Sequence, residues 1–208
     1  MPEAERSDER LLEAYREGES GALAELIRRF HDDLMRFLIR LMGDRTLAED
    51  VFQETFIQVH LSADSFDASR RFKPWLFTIA ANKARDQLRK SARRRTVDLS
   101  APIGGGKGGS NSGDGDGRTY IDLMEIDVPD PSDGIQAEER ERMVQRAIDQ
   151  LPHPLKEILL LAYFQRLSYS QIADSLEIPL GTVKSRLHAA VAGFAKHWQA
   201  LNKGAVER

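Results

Sequence analysis

No cysteine occurs among the 208 residues, which excludes disulfides, thiolate zinc sites and cysteine nucleophiles. No apolar run approaches the ~20 residues needed to span a bilayer, so no membrane insertion is expected. The opening MPEAERSDER is acidic and polar, unlike a secretory leader, and a cytosolic chain is expected. Aromatics are sparse at 7% while charged residues reach 30%, a balance common in helical soluble proteins. The net charge of −3 conceals segments of opposite sign, so the position of the charges says more than their sum.

Ser168–Val191, SYSQIADSLEIPLGTVKSRLHAAV, is the stretch the rest is organised around. Ser168 and Gln171 have capping-box spacing. Ile172, Ala173 and Leu176 fall on one face of a short helix, which Glu177, Ile178 and Pro179 interrupt. A second helix starts near Leu180–Thr182, with Val183 and Leu187 turned inward. This is the pattern of a helix-turn-helix, whose second helix enters the DNA major groove. Thr182, Lys184, Ser185, Arg186 and His188 point outward and can donate to phosphates or base edges. The competing reading is an ordinary helical hairpin with a solvated face.

A first helix is expected after Ser7 or Asp8, ending by Gly18. Ser20 can cap a second, whose apolar residues from Leu23 to Leu41 keep a 3.6-residue period, and Gly43 closes it. His31, Asp32 and Asp33 are rejected as metal ligands, because neighbours on a helix point different ways. Thr46 with Glu49 has capping-box spacing and opens AEDVFQETFIQVH, with Val51, Phe52, Phe56 and Val59 buried. Asp50, Gln53 and Glu54 form one polar patch, better suited to docking a basic partner than to acid–base chemistry. Pro74 suits the first turn of the next helix, PWLFTIAANKARDQLRKSARRR. Its later half carries Lys83, Arg85, Arg89, Lys90, Arg93, Arg94 and Arg95 against Asp86 alone, a surface for a nucleic-acid backbone.

Val97–Gly134 contains GGGKGGSNSGDGDG and eight acids against two bases. It cannot bury a core and reads as a flexible acidic linker. A phosphate-binding loop at Gly104–Gly108 is rejected, since no strand precedes it and no Ser or Thr follows Lys107. A fifth helix is expected over Ile135–Gln150 and a sixth over Leu155–Phe164. The fold class is therefore all-α: a helical domain at 8–96, a linker at 97–134 and a helix-turn-helix domain at 135–200.

Taken together, LPHPLKEILLLAYFQRLSYSQIADSLEIPLGTVKSRL resembles region 4 of bacterial RNA polymerase sigma factors of the extracytoplasmic-function (ECF) type. AEDVFQETFIQVH followed by FKPWLFTIAANKARDQLRK resembles their region 2. The resemblance implies a promoter-specificity factor with no catalytic site and no cofactor, partnered by the polymerase core (its β′ and β subunits) and promoter DNA. It implies that Asp50, Gln53, Glu54 and Phe56 dock on the β′ clamp helices. It assigns the minus-ten element to Asp67, Ser69, Arg70, Arg71, Phe72, Trp75, Asn82, Lys83, Arg85, Asp86 and Arg89, with a base flipped into the Asp67–Phe72 loop. It assigns the minus-thirty-five element to Thr182, Lys184, Ser185, Arg186 and His188, and threads the linker towards the RNA path. Members are often held inactive by an anti-sigma factor, although nothing in the sequence identifies one. Ala189 and Val191 depart from the Arg usual after SRL, and Glu177 stands where Gly is common, which predicts a positive φ. The alternative is a free-standing helix-turn-helix regulator, which leaves the region 2-like motif without a role.

Overall fold

The computed structural model describes residues 6–96 and 134–206, with side chains for 6–91 and 139–202. Eight α-helices account for most of these residues. Helix α1 spans Asp8–Arg16, α2 Ser20–Met42, α3 Arg45–Ser62 and α4 Phe72–Thr96. After the undescribed segment come α5 (Gly134–Asp149), α6 (His153–Leu159), α7 (Tyr169–Leu176) and α8 (Leu180–Val206). The linker reading of 97–133 lies outside the described residues.

Local chemistry explains most of the boundaries. Ser7 caps α1 by accepting from the Arg10 amide, and Gly43 ends α2 at φ 72°, where a side chain would be strained. Two expected caps are displaced. Ser20 lies inside α2, whose N-cap is Glu19 without a side-chain cap bond. The Glu19 carboxylate instead accepts from both terminal guanidinium nitrogens of Arg6. For α3 the cap is Asp44, whose carboxylate accepts the Leu47 amide at 3.0 Å. Glu49, freed from the expected box, pairs with Arg45 at 2.9 Å. Asp is as good a cap as Thr and stands two residues earlier, so it takes the helix start. His31 Nδ1 and Asp32 Oδ1 lie 2.8 Å apart, so these neighbours do meet, contrary to the spacing argument.

The sixth helix is not continuous. α6 stops at Leu159, and residues 160–164 form a widened π turn closed by the Gln165 amide on the Leu160 carbonyl. In α7 the Ser168–Gln171 box is complete: the Gln171 amide donates to Ser168 Oγ and Gln171 Oε1 accepts the Ser168 amide. Glu177 follows at φ 53° and ψ 44°, the left-handed turn between the two helices.

The first four helices pack around Leu12, Leu26, Leu34, Leu38, Val51 and Leu76, with the Phe37 and Phe77 rings edge to face at 5.3 Å. In α5–α8, Ile148, Ile158, Leu160, Ile172, Val183 and Ala190 are buried. Gly193 lets α8 approach Leu151: a Cβ there would lie 2.8 Å from the leucine Cδ2. The two sets of buried residues join in one continuous core, because α7 lies against α4 and the 160–164 turn against α2.

Candidate functional site

Three surfaces carry the residues singled out by sequence. On α3, Asp50 and Gln53 are exposed and Glu54 is half-buried, so the polar patch faces outward. Phe56 is not on it. Its ring is 6% exposed and packs on Phe52 at a centroid distance of 5.1 Å, beneath the patch. Sequence reasoning missed Ile57 and Leu61, which are 58% and 70% exposed. They continue the Asp50–Glu54 row at helical steps of three and four. The available signal was that neither belongs to the buried stripe.

The second surface is the loop before α4 together with that helix. Asp67 accepts the Ser69 amide at 2.9 Å, and the Arg70 amide closes the turn on the Asp67 carbonyl. Hydrogen bonds from the Ser69 side chain and backbone hold the Asp67 carboxyl below its ordinary range. The loop borders an open hollow of about 500 Å³ lined by Ser69, Arg70 and Arg71 on one side and Ser7, Glu9, Arg10 and Glu13 of α1 on the other. The contribution of α1 has no local signature in sequence. Phe72 is fully buried, while Trp75 is half-buried against Phe66 and Phe72 at 4.8 and 5.8 Å. Further along α4, Asp86 and Arg89 are exposed, whereas Asn82, Lys83 and Arg85 are half-buried. Arg85 donates a short hydrogen bond from Nη2 to Asn82 Oδ1. Its Nε lies 3.2 Å from Oε1 of Glu157 in α6.

The third surface is the helix-turn-helix. Lys184, Ser185 and His188 are exposed on α8, and Thr182 is half-buried at its start. Ser185 Oγ donates to the Thr182 carbonyl at 3.2 Å. Arg186 is half-buried and its charge acts on Glu157, so it leans towards α6. Glu157 itself is 4% exposed. Burial pushes its carboxyl up to about 7, against the pull of Arg85 and Arg186.

The described residues thus place exposed acids on α3, cations on α4 and an exposed second helix of a helix-turn-helix on one all-helical chain. Residues 26–94 match the Sigma-70 region 2 family and residues 141–192 the Sigma-70 region 4 family. The chain is 30% identical over 190 residues to the ECF RNA polymerase sigma factor SigW of Bacillus subtilis, covering 91% of this chain and 96% of that one. It is 34% identical over 189 residues to the ECF RNA polymerase sigma factor SigL of Mycobacterium tuberculosis, covering 88% and 95%. Its fold resembles that of CnrH in complex with the cytosolic domain of CnrY, with TM-score 0.62 and 20% identity over 94% of this chain and 99% of that one. A sigma factor RpoE bound to the anti-sigma factor NepR, from Bartonella quintana, aligns with TM-score 0.61 and 21% identity over 85% and 96%. The chain belongs to the sigma-70 family of bacterial RNA polymerase sigma factors, in its ECF group.

As such it is not an enzyme: it binds the polymerase core and directs it to promoters. Among the described residues, no helix is long and apolar enough to cross a membrane.

Proposed function

We propose the following division of labour within this sigma factor. Residues 8–96 form the module that grips the core and opens the minus-ten element. Residues 135–200 form the module that reads the minus-thirty-five element, and 97–134 is the acidic connection between them. Asp50, Gln53 and Glu54 dock on basic helices of β′, with Phe56 supporting them from the core side. The carrying observation is that this acid-and-amide patch faces outward on α3 beside exposed Ile57 and Leu61. A docking surface gains from apolar area at its centre and charge complementarity around it.

The Asp67–Phe72 loop and the hollow beside it receive an unstacked base, with Arg70, Arg71 and Arg89 on the backbone. Phe72 has no exposed ring to offer, so its part is to anchor the loop. Trp75, Asn82, Lys83, Arg85 and Asp86 complete the minus-ten surface. Lys184, Ser185 and His188 reach the minus-thirty-five duplex directly, with Thr182 at the helix start and Arg186 at the margin. An anti-sigma factor is a further partner, as in the RpoE–NepR complex, and the chain works in the cytoplasm beside the core. In vitro transcription with purified core on genomic fragments, mapping start sites, tests the reading. Defined starts that depend on Asp50 and Glu54 support it; defined starts that are unaffected by charge reversal at both residues overturn the docking assignment.

A further inference from the structure

The turn that leads into the helix-turn-helix carries a residue whose backbone and side chain answer to different demands. Arg166 and Glu177 alone among the described non-glycine residues have positive φ, and that of Arg166 is 54°. The left-handed turn at Arg166 has a structural reason. It directs Leu167 into the core, 5% exposed, and lets the Leu167 amide close on the Leu161 carbonyl at 3.2 Å. Glycine would make this turn at no steric cost, whereas a side chain in the same conformation is strained. The Arg166 side chain gives the fold nothing in return. It is exposed and has neither an ion pair nor a hydrogen bond among the described residues. Other surface arginines are held by carboxylates, as in Arg6–Glu19, Arg28–Glu25 and Arg36–Asp33.

Strain kept for a cation with no partner inside the chain points to a partner outside it. The charges along α7 narrow the choice. Arg166 stands just before the helix, while exposed Asp174 and Glu177 lie at its far end, about 12 Å away by helix rise. An anionic partner therefore fits the start of α7 and is repelled from its end. In a helix-turn-helix the first helix crosses the DNA backbone while the second enters the groove. Resting on the proposed use of α8 on the minus-thirty-five duplex, we propose that Arg166 is a positioning residue: it binds a backbone phosphate beside that element and sets how α8 lies in the groove. It reads no base, because phosphate contacts fix register and orientation without carrying sequence information.

The test measures binding of the polymerase–sigma complex, over a salt series, to a promoter fragment whose start site has been mapped by transcription. Arg166→Gln should weaken binding several-fold, by the same factor on fragments with substituted minus-thirty-five elements. It should also make the log–log salt slope shallower by about 0.9, the worth of one duplex phosphate. Arg166→Lys should keep the slope. Arg166→Gly separates binding from folding: its urea midpoint should rise as the strain goes, while its affinity falls as in Arg166→Gln. Wild-type affinity and slope in both Arg166→Gln and Arg166→Gly overturn the anchor. So does a loss that varies with the sequence of the element, or one traced to lost co-elution with core. Lys184→Gln with Ser185→Ala on α8 tests the underlying reading separately. If this pair weakens promoter binding and Arg166→Gln does not, the anchor alone falls; if neither does, the minus-thirty-five assignment falls with it.

Discussion

Glu9, in the first turn of α1, accepts the backbone N–H of Phe72, the first residue of α4, at 3.0 Å. A side chain 63 positions away thus satisfies an amide that a helix start leaves unpaired. The Phe72 ring below it is fully buried against Phe30, at 5.4 Å between centroids. One residue therefore fixes where α4 begins and how the preceding loop lies over the hollow. Glu9→Ala should cost about 1 kcal/mol, the usual worth of a cap, lowering Tm by about 3 °C in a chain of this size. Glu9→Gln keeps an acceptor and should lose less. Burial pushes the Glu9 carboxyl up, but the Phe72 amide, its own amide, Ser7 and the charge of Arg71 together hold it below 4.5. Its contribution is therefore present above pH 4.5 and lost as pH falls through the lowered value. Thermal melts of the three proteins between pH 3 and 6 check both the size and the sign.

Asp50→Arg combined with Glu54→Arg should abolish co-elution with the polymerase core. Asp50 is exposed and Glu54 half-buried on α3, and neither belongs to the buried core, so the fold should survive, with a stability change of about 1 kcal/mol or less. Replacing Ile57 and Leu61 by Ser should weaken the same complex without touching charge. A pull-down beside a circular-dichroism melt separates docking from folding. Wild-type core affinity in the double-Arg variant would remove α3 from the docking surface.

These two predictions differ in how far the sequence could carry them. The outward row on α3 was legible because helical periodicity assigns faces, and the Ser168–Gln171 box because it depends on residues three positions apart; the left-handed Glu177 was expected only from the resemblance, in which Gly is common at that turn. The α3 start was misplaced because Asp44 and Thr46 are both competent caps, and only the traced chain shows which amide is served. The π turn at 160–164 leaves no mark in the LLAYF composition. Glu9–Phe72 and Arg85–Glu157 join residues far apart in the chain, so no local pattern announces them.

Glu177 should be replaceable with profit. It sits at φ 53° without strain relief from a glycine, and a side chain there costs about 1–2 kcal/mol. Part of that returns when glycine is introduced, because glycine loses more chain entropy on folding. Glu177→Gly should therefore stabilise the protein by about 0.5–1 kcal/mol. A urea titration reads this as a higher midpoint at unchanged slope. A lower midpoint would mean that the Glu177 side chain makes a compensating contact.

Phosphate contacts on α4 should show in the salt dependence of DNA binding by the polymerase–sigma complex. Each backbone contact removed changes the log–log slope by about 0.7–0.9. Arg89 is exposed, with its side chain 3.7 Å from Asp86, and Lys83 is half-buried on the same helix. Lys83→Gln with Arg89→Gln should shift the slope by about 1.4–1.8. A slope equal to wild type would make these charges a solvated face.

Glu157 sets the last expectation, because its folded value of about 7 lies well above the ordinary 4.5. The native protein holds this proton through a range in which a hydrated carboxyl has lost it. Stability from this group is therefore complete below about pH 4.5 and falls as pH rises through 7, by at most about 3 kcal/mol. Arg85 from α4 and Arg186 from α8 face the carboxyl and limit the loss. His153, on the same helix as Glu157, works in the other direction. Burial, then Lys156 and Arg85, hold its imidazole below 6.5, so its protonation weakens the fold on the acid side. Melting temperature should accordingly decline between pH 6 and 8 in the wild type. Glu157→Gln, which carries no proton to lose, should flatten that decline while His153→Asn leaves it in place. A decline that persists unchanged in Glu157→Gln would place the titrating group elsewhere.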